Sequence, residues 1–145
     1  MNSKTLHLKI PSQTEKLFTV RTFIAEAAIM FGFDEESLNK ISIAVDEACT
    51  NIIKHSYNYA PDKEIEVIVE MYNDKFEVVI IHNGKSFDAD LIKSPDMKEY
   101  LSQYRHGGLG MHLMRSLMDK VEYKNLSDKR SEVRLIKVLP LKVNK

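Results

Sequence analysis

The sequence predicts an α+β domain built as a two-layer sandwich, in which helices pack on one face of a mixed, mostly antiparallel sheet. Apolar residues alternate over residues 64–72, which is the period of a strand with one buried face. Over residues 41–57 they recur at the spacing of a helix that buries one broad stripe. Short turns join most of the predicted strands to their neighbours, so antiparallel pairing predominates and the helices form the second layer.

Length, charge and cysteine content restrict the class of protein. A chain of 145 residues predicts one domain, residues 1–145, with a core of useful size. Lys plus Arg and Asp plus Glu both number 21, so no overall positive field indicates direct nucleic-acid binding. Cys49 is the single cysteine and cannot form a disulfide within the chain. We expect no signal peptide and no membrane span, since no long apolar run occurs, and therefore a cytoplasmic protein.

The first elements are a short strand and a helix. Residues Thr5–Ile10 alternate and predict a strand that Pro11 ends. Ser12 and Glu15 have the spacing of a capping box at the start of a helix. Gly32 is a natural end for that helix. Its predicted core positions are Leu17, Val20, Ile24, Ala27, Ala28 and Phe31.

The second helix contains the most informative pair of polar residues. Asp34 is a suitable N-cap, and the helix is expected to continue through Ile41–Tyr57 until Pro61 breaks the pattern. Glu47 and Asn51 lie one turn apart at the edge of its apolar stripe. A packed helix would therefore hold a carboxylate and an amide at the wall of a cavity. Taken alone, such a pair is also common at the boundary of ordinary helices.

A hairpin and a long connection follow. Asn73 and Asp74 predict the turn between Glu64–Tyr72 and a strand at Phe76–Ile81, whose continuous apolar run indicates burial on both faces. The loop signal His82-Asn83-Gly84 comes directly after this strand, where ligand sites often form. The polar segment Asp88–His106 is long for a compact domain, so we expect a functional, mobile connection.

A glycine-rich segment opens the last predicted helix. Glycines at 107, 108 and 110 would allow a phosphate to approach the backbone N–H groups at the start of the helix. By themselves these glycines more often mark only a plain turn. Positive partners for an anion are available nearby in Lys85, Arg105 and His106. Two further strands, Val121–Leu126 and Glu132–Leu139, complete the prediction.

Three of these stretches together resemble the Bergerat-fold ATPases, the superfamily of gyrase B, Hsp90, histidine kinases and MutL. Glu47-x-x-x-Asn51 is similar to the N box of that family, and Gly108-Leu109-Gly110 is similar to its Gly-x-Gly segment. His82-Asn83-Gly84 stands where the family has Asp-x-Gly. The segments VDEACTNIIKHSY, GKSFD and GGLGMHLMRSLMDKVEY more closely resemble the anti-sigma-factor serine/threonine kinases.

The resemblance implies a set of roles. Glu47 would be the general base that activates the attacking hydroxyl, and Asn51 would hold Mg²⁺ against the phosphates of ATP. The segment Asp88–His106 would form a lid. The other nucleotide-binding residues implied are His82, Gly84, Arg105, Gly108, Gly110 and Ser131. The implied partners are a sigma factor, a small anti-sigma-factor antagonist that accepts phosphate on Ser or Thr, and a second copy of the chain in a homodimer.

Two positions depart from the family pattern, and two other functions stay open. His82 replaces the Asp that reads adenine, and Arg130-Ser131 replaces a Gly-Thr pair near the last strand. These departures favour, as an alternative, a degenerate relative that binds proteins and has weak or no nucleotide binding. A fragment of a sensor histidine kinase is a further alternative, although no helix pair with a phospho-accepting histidine precedes the domain.

Overall fold

A computed structural model of the chain describes residues 3–83, 114–127 and 130–140. Gly84, Arg105, Gly108 and Gly110 lie outside the described residues, as does the predicted lid at 88–106. Two α-helices are described in full, α1 (Leu17–Phe31) and α2 (Glu35–Asn51), and residues 114–117 are also helical. The strands are β1 (Lys4–Pro11), β2 (Glu64–Tyr72), β3 (Lys75–His82), β4 (Lys120–Ser127) and β5 (Arg130–Val138).

The strands form one five-stranded sheet in the order β1-β2-β3-β5-β4. We predicted a mixed, mostly antiparallel sheet. Among the described strands all four pairings are antiparallel. In this order β1 and β2 lie on one side of β3, and β5 and β4 lie on the other, so β3 is the central strand of the sheet. The residues at the end of β3 therefore lie in the middle of one sheet edge, close to both flanking strands.

The helices cover one face of the sheet, which confirms the two-layer α+β architecture. Strand β2 alternates as predicted, and α1 packs against it, whereas α2 packs against β3 and β5. The apolar stripe of α2 is buried at every predicted position, and burial raises the pKa of the Cys49 thiol within it to about 12. The largest fully buried core residues include Phe76, Ile24, Ile41, Ile52, Ile53, Ile65, Ile80, Met114 and Leu135.

The central strand is buried on both faces, as its apolar run predicted. On the face away from the helices, the Arg134 guanidinium donates to Glu77 at 2.7 Å, to Glu70 at 3.1 Å and to Glu132 at 3.2 Å. Glu77 is only 3% exposed, so this charge-assisted bond provides the partner that a buried carboxylate requires.

The connection between the two helices follows the predicted capping chemistry. Gly32 ends α1 in the left-handed conformation at φ 108°, which glycine adopts without strain. Asp34 then caps α2, since its carboxylate accepts a hydrogen bond from the backbone N–H of Ser37 at 2.8 Å. These two residues set the direction in which α2 crosses the sheet.

Strand β1 ends at Pro11, as predicted, and this residue pairs opposite Glu64 because an edge strand tolerates a residue without an N–H group. Two other local predictions are wrong. No capping box forms at Ser12 and Glu15: the Ser12 hydroxyl donates to the carbonyl of Ala60, and a 3₁₀ turn at Thr14–Lys16 precedes α1. Helix α2 ends at Asn51 and changes into a π-helical segment, Ile52–Ser56.

Candidate functional site

Helix α2 places the Glu47 and Asn51 side chains at the border of the core. Glu47 is half-buried, whereas Asn51, the last residue of the helix, is 2% exposed. The neighbouring residues Ala48 and Cys49 are fully buried, so the backbone beneath this pair is held by packing. Glu47 therefore lies at the edge of the buried stripe, as predicted, whereas Asn51 lies within the buried face.

The π-helical segment after Asn51 turns the chain back towards the sheet. Its wider turn is marked by the N–H of Tyr57 donating to the carbonyl of Ile52 at 2.9 Å. Asn58 and Tyr59 follow with positive φ of 49° and 62°, which is uncommon for residues with a side chain. Such π segments are rare and often occur at functional sites. Periodicity could not have revealed this one, since its apolar residues continue the pattern of α2.

His82 is the last residue of β3 and does not lie in a loop as predicted. It pairs with Ile65 of β2 and with Ser131 of β5. Its side chain lies on the face that the helices cover and is 3% exposed. The buried Nδ1 atom has no hydrogen-bond partner among the residues that the structure describes. Burial lowers the pKa of His82 to about 4, so the imidazole is neutral at neutral pH.

A row of polar residues continues from His82 across the sheet. Ser131 is opposite His82, and Asn125 of β4 is opposite Ser131. The Ser131 hydroxyl donates to Asn125 Oδ1 at 3.2 Å. A cavity of about 30 Å³, large enough for about one water molecule, lies along this row. Asn125 was missed from the sequence, although the alternation of β4 and β5 would have placed it on the face of Ser131.

Arg130 lies away from this row. Its side chain is exposed and donates to Glu66 at 3.4 Å on the opposite face of the sheet. Ser131, the next residue, faces the helices because successive residues of a strand point to opposite faces. Although Arg130 departs from the family pattern, its side chain therefore does not enter the space beside His82.

Tyr57 links the helix with the end of the central strand. Its hydroxyl donates to the carbonyl of Glu64 at 2.6 Å and accepts from the backbone N–H of Asn83 at 2.8 Å. Its ring meets the His82 ring edge-on, with the centroids 5.9 Å apart. The structure thus brings His82 and Ser131 together on the sheet and connects them through Tyr57 to the helix of Glu47 and Asn51. No sequence signal singled out Tyr57.

A larger cavity of about 610 Å³ lies at the other end of the sheet, beside the turn residue Asp74. Three of its polar side chains serve the fold: Asp34 caps α2, Asp119 accepts from the N–H of Val138 at 2.6 Å, and Lys137 donates to the carbonyl of Leu117 at 2.8 Å. Two buried side-chain atoms of the described residues lack a hydrogen-bond partner, Ser56 Oγ and His82 Nδ1. The second lies beside the polar row and its small cavity, so we place the candidate site at His82.

Within the described ranges, no group of three or more His, Cys, Asp or Glu side chains is arranged to hold a metal ion. The helices described also include none that is long and apolar enough to cross a membrane.

The sequence and the fold are similar to those of known proteins. The family model for the histidine kinase-like ATPase domain matches residues 10–137. The serine-protein kinase RsbW of Bacillus subtilis is 33% identical over 131 residues, covering 87% of this chain and 81% of that protein. Its counterpart in Bacillus velezensis is 35% identical over 127 residues, covering 84% of this chain and 79% of that protein.

A solved structure has the same fold. The crystal structure of the RsbU and RsbW domains of a Mycobacterium tuberculosis protein superposes with a TM-score of 0.67 at 18% identity. The match covers 94% of this chain and 32% of that longer one.

Proposed function

Because this chain belongs to the histidine kinase-like ATPase family, in the branch of the RsbW serine-protein kinases, we propose that it is an ATP-dependent protein serine/threonine kinase and an anti-sigma factor. The observation that supports this most directly is the buried polar row of His82 and Ser131 beside the helix of Glu47 and Asn51. A fold does not normally leave a buried nitrogen without a partner, and a bound base would provide one.

On the side of the sheet, we assign the recognition of adenine to His82. A neutral imidazole has one nitrogen that accepts a hydrogen bond, as the exocyclic amino group of adenine requires. The lowered pKa keeps the ring in that neutral form. The Ser131 hydroxyl, next to His82 in the sheet, can add a second polar contact. Gly84, the second residue after His82, would allow the base to approach the backbone.

On the side of the helix, Glu47 and Asn51 would act on the phosphates and the attacking hydroxyl. The amide oxygen of Asn51 is the hard type of ligand that Mg²⁺ accepts, and Mg²⁺ usually takes its remaining ligands from phosphates and water. When bound, the metal neutralises charge on the phosphates. Glu47 would accept the proton of the substrate serine or threonine hydroxyl as that oxygen attacks the γ-phosphorus, while the bond from that phosphorus to the β,γ-bridging oxygen breaks and ADP leaves. Arg105, Gly108 and Gly110 would contact the phosphates.

The proposed partners follow from the same family. The chain would bind a sigma factor, and it would phosphorylate a small anti-sigma-factor antagonist in a partner-switching system. We also propose a cytoplasmic location and a homodimer. The names of the Bacillus relatives support the kinase activity, since both are serine-protein kinases.

A degenerate protein-binding module remains the second candidate because His82 replaces a carboxylate that accepts hydrogen bonds more strongly. The orientation of Arg130 favours the kinase, since the arginine side chain does not enter the space beside His82.

Nucleotide binding and phosphotransfer distinguish the two candidates. We expect the wild-type protein to bind a non-hydrolysable ATP analogue more tightly with Mg²⁺, and to transfer the γ-phosphoryl group of ATP to the purified antagonist of the same organism. Glu47→Gln should retain binding and lose about 10²–10⁴ in rate, as expected for removal of a positioned base. Asn51→Ala should abolish the effect of Mg²⁺ on binding.

Matched controls lie on the same helix. Glu36→Gln and Asn39→Ala make the same chemical changes at exposed positions of α2 and should leave both activities intact. A wild-type protein that binds no ATP analogue with or without Mg²⁺ would support the degenerate module. Transfer at the wild-type rate by Glu47→Gln would remove that residue from catalysis.

A further inference from the structure

We propose that Tyr57 is a positioning residue of the nucleotide site, which holds the end of the central strand at a set distance from the helix that contains Asn51. This inference rests on the proposed function, because it concerns the same site. It adds a residue that contacts neither the phosphates nor the metal but determines where the base-recognition segment begins. The buried phenol hydroxyl lies between the end of β3 and the start of β2 and forms a hydrogen bond to the backbone of each chain segment.

The hydroxyl of Tyr57 takes the place of a direct contact between two strands. The β2–β3 register ends with the pair Ile65 and His82, and the next pair in that register would be Glu64 and Asn83. Instead, the phenol oxygen lies between them, donating to Glu64 O at 2.6 Å and accepting from Asn83 N–H at 2.8 Å. The hairpin therefore ends at His82, and the chain leaves the sheet at Asn83 through a side-chain bridge.

The ring of Tyr57 also restrains His82. The two rings are perpendicular, with an interplanar angle of 89° and centroids 5.9 Å apart. Because Nδ1 of His82 has no hydrogen-bond partner among the described residues, packing against such neighbours sets the direction of the imidazole. A shift of the Tyr57 ring would change the direction in which the base-reading nitrogen points.

The position of Tyr57 depends in turn on the end of α2. The backbone N–H of Tyr57 bonds to Ile52 in the π-helical segment, and Ile52 follows Asn51 directly. Both Ile52 and Ile53 are fully buried, so this segment moves with the core and not independently of it. Asn51 and Tyr57 therefore belong to one packed unit. The hydrogen bond from Asn83 to the Tyr57 hydroxyl holds Asn83 in a set position relative to that unit.

The test is Tyr57→Phe, which keeps the ring and removes the bridge. The Glu64 carbonyl and the Asn83 N–H group then lose their shared partner. We expect the dissociation constant of the ATP analogue, and the KM for ATP, to rise about tenfold. The kcat at saturating ATP should stay unchanged, because Glu47 and Asn51 keep their places on α2. The exchange of the Asn83 amide hydrogen should accelerate about tenfold, whereas the Val79 amide in the middle of β3 should not change.

Two controls separate positioning from general stability. Tyr59→Phe removes a hydroxyl from an exposed tyrosine two residues away and should bind ATP as the wild type does. Ile24→Val removes one methyl group from the core and should lower the melting temperature without affecting nucleotide affinity. An unchanged affinity in Tyr57→Phe, or an equal loss in Ile24→Val, would overturn the inference. Failure of the wild-type protein to bind the analogue would instead overturn the proposed function.

Discussion

At the scale of single residues, burial determines the acid–base chemistry of His82. The imidazole is 3% exposed, and desolvation lowers its pKa from 6.5 to about 4. A histidine with the ordinary pKa of 6.5 would become protonated within the usual working range of pH. In the folded protein the protonated form of this buried ring is not populated until the pH is near 4.

Burial of a neutral histidine makes stability depend on pH. The unfolded chain binds a proton near pH 6.5 and the folded protein only near pH 4, so stability is fully present above 6.5 and falls as the pH drops towards 4. Between pH 7.5 and 5.5 this group should lower the free energy of unfolding by about 1.3 kcal/mol. Urea denaturation of wild-type protein and His82→Asn at both pH values measures the difference, and an equal pH effect in the two proteins would contradict it.

The contribution of His82 to ATP affinity should not change between pH 5.5 and 8, since the ring is neutral throughout this range.

His82→Asp should bind the ATP analogue more tightly, because a carboxylate is the stronger acceptor for the adenine amino group. Titration of both proteins with the analogue checks this. A break in the wild-type profile near pH 6.5 that is missing in His82→Asp would show that the ring titrates in the pocket. An unchanged affinity in His82→Asp would mean that His82 does not read the base.

At the scale of elements, the junction of α1 and α2 depends on one glycine. A Cβ atom at Gly32 would lie 3.9 Å from Leu139 Cδ2, which is ordinary contact, so space is available. The backbone at φ 108° is the constraint, because residues with a Cβ are strained in the left-handed region. A side chain at position 32 would therefore lower stability through backbone strain and not through a steric clash.

Gly32→Ala should therefore lower the free energy of unfolding by about 1–2 kcal/mol, as expected for a left-handed residue with a Cβ atom. Gly32→Asn is the matched control, since asparagine tolerates this region better and should cost less. Thermal denaturation of the three proteins gives the order glycine, asparagine, alanine from most to least stable. Equal stability of the alanine variant and the wild type would contradict the strain argument.

At the scale of the whole molecule, we expect a homodimer. This prediction comes from the resemblance to the anti-sigma-factor kinases. Multi-angle light scattering at tens of micromolar protein should give twice the 16.7 kDa of one chain, and dilution to nanomolar concentration should lower the mass if the interface is reversible. A mass of one chain across the whole range would contradict the prediction.

The sequence by itself determined the elements whose signals are local. The alternation of β2, the buried stripe of α2, the Gly32 stop and the Asp34 cap were all predicted and are all present. They were predictable because a period of two or 3.6 residues, a left-handed glycine and an N-cap each depend on residues within a few positions of one another. The same local spacing placed Glu47 and Asn51 together.

Tertiary structure alone decided the features that join distant parts of the chain. Tyr57 and Asn83 are 26 residues apart, and only the sheet register brings the phenol between Glu64 and Asn83. The pairing of β3 with β5 likewise decides that Ser131 faces His82 while Arg130 faces the other side. The lowered pKa of His82 arises from the burial of its side chain in the assembled fold. Burial and hydrogen bonding of this kind are properties of the assembled core, because they depend on which segments exclude water from one another.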